Sequence, residues 1–136
     1  KGQSGDLHSL IALIIENEDS MRAALTMAME TWGVQVLDCA SEDEARTLLT
    51  EIGVSPDVII ADYQLDNGRL GTDAAQRLAA EFGPAPACII SASRSIELSE
   101  RCARDGFGLV HKPIDTNKLL HFLLNCTAHQ NPPPVP

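Results

Sequence analysis

The stretch Asp57-Val58-Ile59-Ile60-Ala61-Asp62-Tyr63 sets four consecutive apolar residues, rich in Cβ-branched side chains, directly before a carboxylate. An apolar run without alternation is expected of a strand covered on both faces, as in a parallel sheet. Leu10-Ile11-Ala12-Leu13-Ile14-Ile15 has the same character, and these two runs are read as the central strands. Outward from them, Val34 to Cys39, Ala87 to Ile90 and Gly108 to Val110 are weaker runs of the same kind, which makes five candidate strands.

Between the strands, apolar residues recur at helical period. Met21, Ala24, Leu25, Ala28 and Trp32 line one face, and Gly33 supplies a stop. Ser41 with Glu44 has capping-box spacing ahead of Ala45, Leu48 and Leu49, Thr72 precedes Ala75, Leu78 and Ala79, and Asp115 precedes Leu119, Phe122 and Leu123. A further helix is placed within Ile96 to Arg104, where serines and charges interrupt the pattern. Strands alternating with helices over short links imply an α/β domain, with a parallel sheet, helices on both faces and right-handed crossovers.

A chain of 136 residues fits one domain, and 44% hydrophobic with 21% charged residues excludes pervasive disorder and a membrane-embedded chain. With 19 acidic against 10 basic side chains the formal charge is -9, so nucleic acid is not an expected partner. Cys39, Cys88, Cys102 and Cys126 form no CxxC pair and read as small buried hydrophobes. No apolar run has the length of a membrane span and no signal-peptide core is visible, so a cytoplasmic domain without membrane insertion is expected, with a membrane-anchored parent chain still compatible. Residues 1–6 read as a linker, 7–128 as the folded domain and 129–136 as a Pro-rich tail or linker.

Parallel α/β sheets carry their chemistry at the carboxyl ends of the strands. There the sequence puts Glu16, Asn17, Glu18 and Asp19, then Asp62, Tyr63 and Gln64, then Ser91, Ala92 and Ser93, and last His111, Lys112 and Pro113. Carboxyl and amide oxygens at neighbouring strand ends suit a hard cation such as magnesium. A carboxylate beside such a cation and a lysine can attack a phosphoryl group, because the positive charges offset those on the incoming oxygens. Asp62 is placed for that attack, and the acyl phosphate formed would attract the Ser91 hydroxyl and the Lys112 ammonium.

At this point the sequence resembles the receiver domains of two-component signalling. The resemblance rests on Ile14-Ile15-Glu16-Asn17, Asp57 to Tyr63, Ile89-Ile90-Ser91-Ala92 and His111-Lys112-Pro113, in that order along the chain. It implies a flavodoxin-like (βα)5 three-layer sandwich with strand order 2-1-3-4-5. It further implies that Asp62 accepts phosphate from a histidine, that Glu16, Asn17, Asp62 and the Gln64 backbone carbonyl hold Mg2+, with Mn2+ as an alternative ion, and that Ser91 and Lys112 read the phosphoryl group. Gln64 and Ser93 would flank the path of hydrolytic water, and a cis Lys112-Pro113 bond is a family expectation. The implied partners are a histidine kinase or histidine phosphotransfer domain, and a homodimer through helix four, strand five and helix five is a further expectation. Trp32-Gly33, and Asp62-Tyr63-Gln64-Leu65-Asp66 followed by Gly68 and Gly71, look most like the C-terminal receivers of hybrid sensor histidine kinases.

Two departures stand out. Most receivers carry two acidic residues where this chain has Glu16-Asn17. A charge pair at close range and an effective dielectric near 20 is worth roughly 4 kcal/mol before desolvation, so a weaker magnesium site is expected, offset in part by the Asn17 oxygen. Glu18 reads as a solvated loop charge. Many receivers also have an aromatic residue three places before the lysine, where this chain has Leu109. Phe107 lies nearby on the same face and reads as core packing. The loop after strand three, with Asp66-Asn67-Gly68-Arg69, is one residue longer than common, and Gly68 and Gly71 read as turn residues.

Two other functions compete. A degenerate receiver that binds partners without phosphorylation would account for Asn17 and Leu109. A haloacid dehalogenase-like phosphatase would need a second aspartate where this chain has Gln64, and a phosphate loop of the GxxxxGK[ST] type is absent from the sequence, so enzymes on similar sheets are disfavoured.

Overall fold

Among the described residues, five strands pair in parallel: β1 (Ile11–Ile15), β2 (Gln35–Cys39), β3 (Val58–Asp62), β4 (Ala87–Ser91) and β5 (Gly108–His111). Their order is β2-β1-β3-β4-β5, the flavodoxin-like arrangement. The computed structural model describes residues 7–130, with side chains to residue 127. The linker expected at 1–6 lies outside the described residues, as does 131–136 of the tail expected at 129–136, whose residues 129 and 130 belong to the last helix.

Among the described residues four α-helices connect the strands and a fifth follows the last one: α1 (Asp19–Thr31), α2 (Glu42–Ile52), α3 (Gly71–Phe82), α4 (Ile96–Asp105) and α5 (Thr116–Gln130). The capping expectations hold at two of them, and a third helix has a cap that was not expected. The Ser41 hydroxyl accepts from the Glu44 N–H at 3.1 Å, while the Glu44 carboxylate accepts from the Ala40 N–H. The Asp115 carboxylate accepts from the Asn117 N–H at 2.9 Å to start α5. Helix α4, the weakest pattern in the sequence, is capped by Ser95, whose hydroxyl accepts from the Leu98 N–H at 3.1 Å. Each such cap satisfies a backbone donor that the helix leaves open, worth about 1 kcal/mol. Helix α3 differs from expectation, since it begins at Gly71 with Leu70 before it, and Thr72 lies fully buried inside its first turn rather than capping it.

Alternation along the strands divides the core into two layers. Leu13, Ile15, Ile59, Ala61 and Ile89 face one side and pack with Ala45 and Leu49 of α2, Ala74, Ala75 and Leu78 of α3, and Leu98 and Cys102 of α4. Ala12, Ile14, Val58, Ile60, Cys88 and Ile90 face the other and meet Leu25 and Met29 of α1 and Leu119, Leu123 and Cys126 of α5. Burying each large side chain contributes about 2 kcal/mol. Strand β4, read as a weaker run, is as fully buried as β3, because it too has a neighbour on each edge. All four cysteines are free and buried, and burial pushes the thiols of Cys39 and Cys88 up to about 12. No described helix is long and apolar enough to cross a membrane.

The α2–α3 face carries a charge cluster that no sequence pattern announced. Glu42 is 2% exposed, and both of its oxygens are taken by Arg77, at 2.7 and 2.8 Å. Arg46 adds a bond at 3.0 Å and Arg69 one at 3.5 Å. Asp43 and Glu81 pair with the outer faces of these arginines. The Arg77 bonds, joined by Arg46, outweigh burial and hold the Glu42 carboxyl at about 2, below its ordinary 4.5. A depressed carboxyl pKa contributes stability that is fully present above the ordinary value and is lost as pH falls through the folded one. The shift corresponds to at most about 3 kcal/mol, and solvent around the partly exposed arginines reduces it to about 2 kcal/mol. The stability of the wild type is therefore expected to fall toward that of Glu42→Gln as pH drops from 5 to 2.5 (roughly the window between the two pKa values) in urea titrations; parallel curves would refute the assignment.

Candidate functional site at the carboxyl edge of the sheet

The parallel register brings the ends of β1, β3, β4 and β5 to one edge. Ile15 pairs with Ala61, Asp62 with Ile90, and Ser91 with His111, so the residues at and just beyond these ends share one edge of the sheet. Asp62 is 8% exposed, and its Oδ2 lies 3.0 Å from the Lys112 Nζ. The same ammonium stands 3.9 Å from Glu16 Oε1. Lys112 is aimed by its backbone, whose N–H donates to the Ser91 carbonyl at 2.8 Å, and the Lys112-Pro113 bond is cis.

Glu16 is 1% exposed and is fixed through its main chain. Its N–H donates to the Cys39 carbonyl at 3.0 Å, and its carbonyl accepts from Arg22 at 2.8 Å. Its Oε2 accepts from the Glu18 N–H at 2.9 Å, whereas Oε1 is buried without a hydrogen-bond partner. Burial raises the Glu16 carboxyl above the ordinary range; the Glu18 N–H opposes this, the Asp62 charge adds to it and Lys112 opposes it. A buried carboxylate oxygen facing a second carboxylate is a site that a cation would complete. The Glu18 side chain is exposed and accepts from the Ser20 hydroxyl, in keeping with a solvated loop charge.

The other expected residues sit around this pair. Ser91 is 2% exposed and its hydroxyl oxygen accepts from the Ser93 N–H at 2.9 Å, which leaves the hydroxyl proton to donate. Ser93 and Ser95 repeat the device, the Ser93 hydroxyl accepting from the Ser95 N–H at 3.2 Å, so three serines lead from the pocket to the cap of α4. The Gln64 N–H points to Asp62 Oδ1 at 3.4 Å. Gln64 forms an isolated bridge with Leu70, carried by bonds from the Leu65 and Gly71 N–H groups to the Arg69 and Tyr63 carbonyls. The Gln64 carbonyl takes no part in that bridge. Phe107 and Leu109 both pack against the layer under α2, α3 and α4, so Phe107 has the core role expected of it.

Sequence reasoning missed three contributors. The Asn17 amide donates to Asp66 Oδ1 at 2.7 Å, across 49 residues. Arg22 clamps the turn after β1 through the Glu16 carbonyl, Asp19 and Asp38. Gly71, read as a turn residue, has no left-handed backbone; a Cβ there would lie 2.0 Å from the Asp62 carbonyl oxygen, so the position admits glycine alone because α3 begins against the backbone of Asp62. Gly68, with φ +74°, is the turn residue expected. Among the described residues no three His, Cys, Asp or Glu side chains form a metal-holding group.

A sequence profile of the response regulator receiver domain matches residues 12–124, and the chain belongs to that family. No curated protein matches the sequence. Among solved structures, it is similar to chemotaxis protein CheY4 of Vibrio cholerae, with 20% identity and a TM-score of 0.75 over 86% of this chain and 98% of that one. It is also similar to a response regulator receiver domain protein from Clostridium thermocellum, with 20% identity and a TM-score of 0.78 over 89% and 96% of the two chains. The receiver domain of the Francisella response regulator 1452 gives 18% identity and a TM-score of 0.78 over 90% and 100%. These likenesses establish the fold.

Because the Asp62 backbone fills the space above Gly71, Gly71→Ala is expected to destabilise the domain by about 1–3 kcal/mol. Urea denaturation measures the loss; wild-type stability in the variant would contradict the close approach.

Proposed function

We propose that this domain is the phosphoacceptor of a two-component phosphorelay, with Asp62 taking a phosphoryl group from a phosphohistidine on a histidine kinase or histidine phosphotransfer domain. The observation that carries the proposal is the Lys112 ammonium at 3.0 Å from Asp62 and 3.9 Å from Glu16, beside a buried Glu16 oxygen with no hydrogen-bond partner. An Asp62 oxygen attacks phosphorus, the bond from phosphorus to the histidine nitrogen breaks, and that nitrogen keeps the electron pair. Lys112 then offsets charge on the new acyl phosphate, and the Ser91 proton has an oxygen to donate to.

The residues fit magnesium, a hard cation with oxygen ligands. Glu16, Asn17, Asp62 and the Gln64 carbonyl would hold it, with manganese as an alternative. When bound it would supply charge neutralisation at the phosphoryl oxygens. The output is a change of partner-binding surface around α4, β5 and α5, the face also proposed for a homodimer. Without an aromatic residue at Leu109, that change runs through the Ser91-to-α4 serine series rather than through a ring swing. The wording around Trp32-Gly33 and after Asp62 supports a hybrid sensor histidine kinase as the parent. A cytoplasmic location accords with both.

The competing reading, a binding module without phosphorylation, draws on the incomplete acidic pair. Acetyl phosphate with millimolar magnesium separates the two. Intact mass spectrometry is expected to show one added phosphoryl group, lost in Asp62→Asn, and beryllofluoride is expected to bind the wild type alone. A folded wild type that takes up neither would leave the binding module as the surviving function.

A further inference from the structure

We infer that Asp66 is a positioning residue of the cation site and acts through Asn17, an inference that rests on the magnesium site proposed above. A carboxylate only accepts hydrogen bonds, so the 2.7 Å contact with Asp66 Oδ1 fixes the NH2 end of the Asn17 amide toward the β3–α3 loop. The carbonyl oxygen, the end that a hard cation can use, is thereby kept free of that contact. An aspartate at position 17 would need no such partner, because both of its ends are oxygens; an asparagine left to turn would offer a cation its NH2 group in one of two orientations. The charged acceptor also draws the amide protons and increases the negative charge on the Asn17 oxygen.

The loop is built to hold Asp66 there. Asp66 opens a short 3-10 turn, Asp66–Gly68, closed by Asn67 at φ 61° and Gly68 at φ 74°. The Arg69 N–H returns to the Asp66 carbonyl at 3.2 Å, and the Leu65 N–H donates to the Arg69 carbonyl at 2.9 Å. The Arg69 side chain is tied in turn to Asp43 at 3.2 Å and Glu42 at 3.5 Å on α2. That the pocket awaits a cation is indicated independently by Glu16, next in sequence to Asn17, which is 1% exposed and presents Oε1 without a hydrogen-bond partner. Partners of this kind, which orient a ligand without touching the metal, typically change affinity by 10-fold to 100-fold.

Magnesium titration by isothermal calorimetry of the whole chain tests the inference with wild type, Asn17→Ala, Asp66→Ala, their double variant, and Asp66→Ala on an Asn17→Asp background; thermal denaturation verifies folding of each. Asp66→Ala is expected to weaken binding about tenfold on its own. It should add less than about twofold to the loss in Asn17→Ala, and cost nothing beyond about twofold once position 17 is aspartate. Wild-type affinity in Asp66→Ala, additive losses with Asn17→Ala, or an equal loss beside Asn17→Asp would each overturn the role of Asp66 while leaving the phosphoacceptor reading intact. A wild type that binds no magnesium and takes no phosphoryl group would overturn both.

Discussion

One ammonium set against two carboxylates governs the site. Lys112 reaches Asp62 at 3.0 Å and Glu16 at 3.9 Å, so the pocket holds a net negative charge at the point where three loops meet. That balance is costly in a half-dry setting, and burial already raises the Glu16 carboxyl. The fold bears the cost by fixing each group through its backbone: the Glu16 N–H on Cys39, the Lys112 N–H on Ser91, and the Tyr63 N–H on Ile90. None of these bonds depends on side-chain charge. The sheet therefore delivers the electrostatic arrangement.

How far this was legible in the sequence depended on the range of the interaction involved. Val58 to Ala61 and Leu10 to Ile15 declare buried parallel strands because their burial on both faces is written into four or more adjacent residues. Ser41 and Asp115 declare helix starts because a cap acts over two or three residues. The start of α3 was misread at Thr72 for the opposite reason: Gly71 is required by the carbonyl of Asp62, and that approach is a tertiary fact. Asp66 reads only as loop, since its partner Asn17 is 49 residues away. Glu42 gave no hint either, because what marks it is a fork from Arg77, 35 residues on.

The same contacts divide the site into an anchored side and a lightly held side. On the anchored side, Asn17 is joined to Asp66, the turn after Asp66 to Arg69, and Arg69 to Glu42 and Asp43. Glu42 is in turn gripped by Arg77 and Arg46, so the β3–α3 loop is bound to two helices through a buried carboxylate. Charge-assisted bonds of this number resist movement more than isolated surface pairs do.

On the other side, the β4–α4 connection rests on hydroxyls. Ser91, Ser93 and Ser95 each accept one backbone N–H, at 2.9, 3.2 and 3.1 Å, and each bond is neutral and singly made. A neutral hydrogen bond contributes about 1 kcal/mol, and a bond to a charged group roughly twice that. If phosphoryl oxygens arrive at Asp62, the free Ser91 proton can turn to them with at most one neutral bond, that from the Ser93 N–H, put at risk, whereas release of Asp66 or Arg69 would break charged ones. For the switch proposed above, that inequality favours movement at α4 and its flanking strand over movement at α2, α3 and the loop that carries Asp66. It does so without an aromatic switch, because what it compares is the bonds that each side must give up.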